Sequence, residues 1–152
     1  MPAATRRRRP RRAPPGWVLR FRHTVPATVA GLERIHGQTM QIVRAMGCAA
    51  GEEHRVDIAL REALGNAVIH GSRTNPRKRI TVCCFCSEAR GMMLLVRDRG
   101  GGFDPAKVPD PTEGENIYKG HGRGIFIMRQ MMDRVRYRRG GREVVLRKQR
   151  RS

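Results

Sequence analysis

Hydrophobic residues recur at helical spacing in three stretches of the chain, residues 26–46, 52–69 and 123–132. The first stretch has Pro26 in its first turn and Thr24 at the position of an N-cap, and Gly47 follows its last apolar residue. In the second stretch Val56, Leu60, Ala63 and Ala67 form one stripe. These patterns predict three amphipathic helices.

Alternating or continuous apolar runs rich in β-branched residues predict five strands, at residues 17–23, 78–87, 91–97, 133–138 and 142–148. Short turns at residues 89–91 and at Gly140–Gly141 join two pairs of these strands as hairpins. A polar, glycine-containing stretch from residue 104 to 120 interrupts the pattern. The order of elements predicts an α+β two-layer sandwich, a mostly antiparallel mixed sheet with helices on one face.

The chain has 152 residues, of which 39% are hydrophobic, and this composition fits one globular domain. No apolar run approaches the roughly 20 residues that a membrane-spanning helix needs. The basic N-terminal stretch is not followed by the apolar segment of a secretory signal. We therefore expect a cytoplasmic protein without a membrane partner.

The formal net charge of +19 lies mostly at the two ends of the chain. Residues 1–12 carry six arginines, and residues 134–151 carry nine basic residues and one acid. Such ends suit nucleic acid, an acidic protein or anionic lipid, and they equally suit a solvated tail. We expect a disordered tail at 1–16, a folded domain at 17–149 and a basic end at 150–152.

Four cysteines occur at positions 48, 83, 84 and 86. Cys83 and Cys84 are neighbours on a predicted strand, so their side chains point to opposite faces and are poorly placed to share a metal. No second ligand pair with zinc spacing follows. The sequence favours buried, unreactive thiols.

Three polar motifs are candidates for chemistry. Glu62, Asn66 and His70 follow each other at intervals of four along the second predicted helix. A carboxylate can accept a proton, and an amide oxygen is a suitable ligand for Mg²⁺. By itself, such a row is more often a solvated helix face.

The second motif is the stretch Asp98-Arg-Gly-Gly-Gly-Phe-Asp-Pro105, directly after a hydrophobic strand. Its glycines let a backbone approach a ligand, and an ionised Asp98 accepts hydrogen bonds such as that of the adenine amine. The third motif is Gly120-His-Gly-Arg-Gly-Ile-Phe126, where glycines precede a helix and its free N–H groups suit phosphate. Each motif alone fits an ordinary turn.

In this order, the three motifs resemble the N, G1 and G2 boxes of the GHKL (Bergerat-fold) ATP-binding superfamily. The chain is most similar to its small bacterial branch of anti-sigma-factor serine/threonine kinases, and the resemblance covers about residues 17–149. It implies ATP and Mg²⁺ as ligands, phosphorylation of an anti-anti-sigma protein of the STAS type, and sequestration of a sigma factor. The family resemblance also favours a dimer.

The resemblance implies a role for each matched residue. Glu62 is expected to be the catalytic base, Asn66 the Mg²⁺ ligand and Asp98 the residue that reads adenine. The glycines of the second box are expected to shape the floor of the nucleotide pocket. The third box is expected to belong to the lid and phosphate loop, and residues 104–120 are expected to form the mobile lid. These positions are Gly100 and Gly102 in the second box, and Gly120, Gly122, Arg123 and Gly124 in the third.

One departure from the family pattern is Arg142, which stands where this branch often has a small hydroxyl residue near adenine. This departure is compatible with a second function, in which the protein binds a nucleotide and holds its partner without kinase activity. A third alternative, weak nonspecific contact with nucleic acid through Arg6–Arg9, Arg11 and Arg12, follows from the charge of the tail. His70 matches a family position, but no chemistry is assigned to it.

Overall fold

The computed structural model describes residues 12–73, 75–100 and 123–151. In these ranges the chain forms one five-stranded sheet with the spatial order β1-β2-β3-β5-β4, and every neighbouring pair is antiparallel. The pattern of apolar residues predicted each of these strands to within a few residues. The strands are β1 (Val18–Pro26), β2 (Arg79–Ser87), β3 (Gly91–Arg97), β4 (Arg134–Arg138) and β5 (Glu143–Gln149).

The helices pack on one face of this sheet, so the predicted α+β sandwich is confirmed. They are α1 (Val29–Met46), α2 (Glu53–Asn66) and α3 (Arg123–Met131), and α2 continues into a π-helical turn over Ala67–Gly71. The main core lies between the helices and the sheet, and its fully buried members include Ile35, Leu60, Leu94, Met128 and Leu146. Among the described helices, none combines the length and apolar character required to cross a membrane.

The start of α1 differs from the prediction. Pro26 is the last residue of β1, where it pairs with Arg79, and it does not lie in the first helical turn. The N-cap is Thr28, whose hydroxyl oxygen accepts a hydrogen bond from the Gly31 N–H at 3.0 Å. The sheet pairing extends the strand past Thr24 and so delays the helix, because an edge strand tolerates proline. Gly47 ends α1 in the left-handed conformation, as predicted.

A second apolar cluster lies on the face of the sheet opposite the helices. Trp17, just before β1, packs there against side chains that include Phe85 and Leu95, and the Arg147 guanidinium lies 5.3 Å from its ring centre. Cys83 belongs to this cluster, whereas Cys84 belongs to the main core, so the predicted opposite orientation is confirmed. Burial raises the pKa of the Cys84 thiol to about 12, which keeps it protonated and unreactive.

The prediction of four free thiols is wrong for two of them. Cys48, just after α1, forms a disulfide with Cys86 of β2, and their Cα atoms are 6.0 Å apart. The sequence spacing could not indicate this pair, because 38 residues separate them and the fold alone brings them together. The bond ties the end of α1 to the sheet.

A buried lysine fixes α3 relative to the sheet. Lys148 of β5 is only 2% exposed, and its ammonium group donates a hydrogen bond to the Met131 carbonyl at the end of α3, at 2.7 Å. Glu52 and Asp133 lie 3.7 and 3.8 Å from the same nitrogen and compensate its charge. A positive group at a helix C-terminus is favourable, so this contact anchors the helix that carries the third motif.

We predict that Cys48→Ser lowers the free energy of unfolding by about 3–4 kcal/mol under oxidising conditions. Without the disulfide, which closes a long loop, the unfolded chain has more conformational entropy and is therefore favoured. Denaturant unfolding measures the difference, and Cys86→Ser should give the same loss. In excess reductant the wild-type chain and both variants should have the same free energy of unfolding. A difference that persists unchanged in reductant would contradict a disulfide.

Candidate functional site

Glu62 and Asn66 lie together on α2, one helical turn apart, where α2 packs against the start of α3. Both side chains are half-buried. A Cβ atom placed on Gly124 would lie 2.9 Å from a Glu62 carboxylate oxygen and 3.2 Å from the Asn66 amide nitrogen. Glycine at this position therefore lets the backbone at the start of α3 approach both polar groups.

His70 lies four residues after Asn66, beyond the end of α2. The segment after Asn66 winds as a π-helix, and the Ser72 N–H donates to the Ala67 carbonyl five residues earlier, at 2.8 Å. The His70 side chain is exposed.

The π-helical turn brings Gly71 against the end of β3. A Cβ atom on Gly71 would lie 2.5 Å from the Asp98 carboxylate. A Cβ atom on Gly100 would overlap the Gly71 carbonyl group. Any side chain at these two positions would separate the first motif from the second, so the two glycines are required by packing.

Asp98 is a buried carboxyl group, 7% exposed, directly after β3. One of its oxygens accepts a hydrogen bond from the Gly100 N–H at 2.7 Å. Burial raises the pKa of Asp98 above its ordinary value, and the Gly100 hydrogen bond and the Arg142 charge partly oppose this shift. An acceptor held in place and shielded from water suits the recognition of a hydrogen-bond donor.

Arg142 bridges the backbone next to Asp98. Its guanidinium donates to the Gly100 carbonyl at 2.8 Å, and its own carbonyl accepts a hydrogen bond from the Asp98 N–H at 2.9 Å. The predicted position of Arg142, beside the residue expected to read adenine, therefore agrees with the structure. The arginine side chain has no hydrogen-bond acceptor, so it contacts Gly100 as a donor.

Tyr137 of β4 is a member of this site that sequence reasoning missed. Burial raises the pKa of its hydroxyl to about 12, and a hydrogen bond with the Asn66 side chain opposes the shift. Tyr137 also lines a cavity of about 20 Å³ together with Asn66, Asp98 and Arg142. The sequence predicted a strand at 133–138, but nothing in it linked Tyr137 to Asn66.

The structure thus brings together Glu62, Asn66, Asp98, Gly100 and Gly124 around the ends of α2 and β3. Arg123 is exposed and begins α3 as predicted. The other predicted positions, Gly102, Gly120 and Gly122, lie outside the described residues, as does the lid expected over 104–120.

The arrangement can hold a polar ligand on three sides. The Glu62 carboxylate can accept a proton, the Asn66 amide can bind a hard cation, and Asp98 can accept a hydrogen bond from a base. In the described part of the chain no cluster of three His, Cys, Asp or Glu side chains forms a metal site. The donors present fit a cation that takes the remainder of its ligands from phosphate.

The chain matches the family model of the histidine kinase-like ATPase domain over residues 25–148. This span contains all three motifs and excludes the arginine-rich N-terminal residues. Among curated proteins, none matches the chain significantly.

We predict that Gly71→Ala lowers the free energy of unfolding by about 1–3 kcal/mol, because the new methyl group would collide with the Asp98 carboxylate. Gly65→Ala is the matched control, since a Cβ there meets no atom within 4 Å. On α2 it should raise stability by about 0.5–1 kcal/mol. Equal effects at the two positions in denaturant unfolding would contradict the close approach.

We predict that Asp98→Asn leaves the domain at least as stable at neutral pH as the wild type. The folded-state pKa of Asp98 is raised, so ionisation costs folding free energy. That cost is fully present above the raised pKa and absent well below about pH 3.9, where the carboxyl is protonated in both states. The stability gained by the variant should shrink as pH falls, and a variant less stable by about 1 kcal/mol or more at pH 7 would contradict this reading.

Proposed function

Because the chain belongs to the family of histidine kinase-like ATPase domains, we propose that it is an ATP- and Mg²⁺-dependent serine/threonine protein kinase and anti-sigma factor. Its protein substrate is an anti-anti-sigma protein of the STAS type, and its second partner is a sigma factor. One observation carries the kinase assignment, the Glu62 carboxylate held beside Asn66 against the start of α3.

An enzyme can catalyse phosphoryl transfer without forming a covalent intermediate, since positioning and charge stabilisation provide most of the rate enhancement. Glu62 accepts the proton of the attacking serine or threonine hydroxyl. A general base of this kind contributes about 10²–10⁴-fold. The half-buried position of Glu62 supports this role, because it leaves the carboxylate reachable from solvent.

Asn66 holds Mg²⁺, which when bound bridges the phosphates and offsets their charge. Tyr137 lines the same small cavity as Asn66 and Asp98, so these three side chains are close to one another. Asp98 accepts the hydrogen bond of the adenine amine, and Gly100 keeps the nearby backbone close. Gly102, Gly120, Gly122, Arg123 and Gly124 are assigned to the nucleotide pocket and the phosphate loop.

The partners follow from the resemblance of the three motifs to the anti-sigma kinases. A protein that phosphorylates one partner and binds another can exchange them, so phosphorylation of the STAS protein leaves the sigma factor sequestered. We place this activity in the cytoplasm, with the protein acting as a dimer. Disulfides are rare in that compartment, so the cellular state of Cys48 and Cys86 depends on the local redox conditions.

The first test is ATP binding by calorimetry with and without Mg²⁺. Asp98→Asn should abolish binding in both conditions, and Asn66→Ala should remove the Mg²⁺-dependent part. Asn75→Ala, an identical substitution in an exposed loop, is the matched control and should bind as the wild type does. No binding of the wild type at millimolar ATP would contradict the nucleotide site.

The second test separates catalysis from binding. We predict that Glu62→Gln retains ATP affinity but transfers phosphate to a STAS partner at least about 100-fold more slowly. Glu53→Gln, on the first turn of the same helix, should retain both properties. Radiolabel transfer from the γ-phosphate and phosphoamino-acid analysis measure the rate and the acceptor residue.

The alternative is a switch that binds a nucleotide and grips a partner without catalysis. Arg142 favours it, because its guanidinium donates to the Gly100 carbonyl beside Asp98, where the anti-sigma kinase branch often has a small hydroxyl residue. For a nucleotide to enter, the exposed Arg142 side chain would leave the Gly100 carbonyl. Tight ATP binding with no transfer to any STAS partner, and an unchanged biological effect of Glu62→Gln, would establish the switch.

A further inference from the structure

The sheet face opposite the helices carries a row of polar residues at the end where β3 finishes. The strand register places Thr24, Thr81, Arg97, Glu143 and Arg138 side by side across all five strands. Their sequence neighbours at 82, 96 and 144 are valines of the main core, so alternation directs this row away from the helices.

A groove of about 790 Å³ lies at this row, and we call it the arginine groove. It is lined by Thr81, Asp98, Gly100 and, among the described residues, by six arginines. These are Arg22, Arg79, Arg97, Arg99, Arg139 and Arg142. The Asp98 carboxylate itself lies against Gly71 on the helix side. The groove and the candidate functional site therefore lie mainly on opposite faces of the sheet and share Asp98, Gly100 and Arg142 at its edge.

Among the described residues, six arginines and one acid, Asp98, line the arginine groove. The side chains of Arg22, Arg79 and Arg99 form no hydrogen bond or ion pair with any residue that the structure describes. The guanidinium of Arg142 donates to a neutral carbonyl. Guanidinium groups held together without counter-charges repel each other, so a bound anion would stabilise the groove.

One buried acid organises the remaining cations. Glu143 is 0% exposed, and one of its oxygens accepts two hydrogen bonds from Arg97, at 2.9 and 3.0 Å. Arg139 and Arg138 lie 3.3 and 3.8 Å from the same carboxylate. Three cations thus share one acid, which fixes their positions and still leaves a positive surplus. Fixed side chains lose less entropy when they bind a ligand.

The described residues of the arginine groove suit a negatively charged ligand better than an apolar one. None of the described residues that line the arginine groove is aromatic or aliphatic, and the adjacent apolar cluster is already covered by Trp17, which is 8% exposed. A folded protein partner gains most of its affinity from apolar or aromatic anchors in pockets, and the groove offers none. Arginine pairs with phosphate through two parallel hydrogen bonds, so a phosphate backbone fits this lining better.

The length of the groove fits a chain of phosphates. Neighbouring strands are about 4.8 Å apart, so a row across five strands is about 19 Å long and spans several consecutive nucleotides. The described lining contains no aromatic group for base stacking, so its contribution to binding would come from contacts with the phosphate backbone. We propose that the arginine groove binds the phosphate backbone of a single-stranded nucleic acid without sequence preference. This proposal does not rest on the proposed kinase function.

The test is fluorescence polarisation of a labelled oligothymidylate about 12 nucleotides long, measured with the full chain at several salt concentrations. Arg22→Ala with Arg79→Ala should weaken binding about tenfold at low salt. It should also reduce the slope of log affinity against log salt by about 1.4, which is the share of two phosphate contacts. Both residues are exposed and unpaired in the described structure, so thermal unfolding and ATP affinity should be unchanged.

The matched control is Arg34→Ala with Arg44→Ala, which removes two exposed arginines from α1 on the other side of the sheet. It should change oligonucleotide affinity less than about twofold. A full-length chain in which Arg6–Arg9 and Arg11 are replaced by glutamine separates the N-terminal residues from the groove. The groove substitutions should weaken binding by the same factor in that background, because independent contributions to a binding free energy add.

Two results would overturn the proposal. In the first, the groove variant binds the oligonucleotide as tightly as the control does. In the second, polyglutamate displaces the oligonucleotide as effectively as unlabelled oligothymidylate at equal charge, which would assign the groove to an acidic protein segment.

Discussion

The contact between the end of α2 and the end of β3 is the constraint on which the candidate site depends. Gly71 lies directly against the Asp98 carboxylate and against Gly100, so backbone atoms of a helix and a sheet meet where side chains usually intervene. This approach buries Asp98 and thereby raises its pKa. The π-helical turn before Gly71 is the local adjustment that makes the approach compatible with the packing of α2 on the sheet.

Buried charges on the two faces of the sheet are stabilised in different ways. Asp98 on the helix side is held mainly by a backbone N–H, and its surroundings leave its pKa raised. Glu143 on the opposite side is completely buried but has three arginines within 4.0 Å. Asp98 is therefore still able to accept a hydrogen bond from a ligand. Glu143 instead holds the surrounding arginines in position.

The sequence predicted the sheet and the helices well because period-two and period-3.6 patterns report directly on burial. It could not place the start of α1, since the pairing of Pro26 with Arg79 is a tertiary contact. It also did not indicate the π-helical turn over Ala67–Gly71, which carries His70. Tyr137 and the Cys48–Cys86 bond depend on long-range proximity, which no local pattern encodes.

The arginine groove and the candidate site are physically linked, although they face opposite ways. Arg97 and Asp98 are consecutive residues, so alternation directs one to each face of the sheet. Arg142 crosses the boundary, because its side chain lines the groove while its carbonyl accepts a hydrogen bond from the Asp98 N–H. Its guanidinium also holds the Gly100 carbonyl. A ligand that draws Arg142 into the groove would therefore remove a contact from the glycine loop beside Asp98, and by reciprocity a ligand at Asp98 that displaces Arg142 would change the charge of the groove.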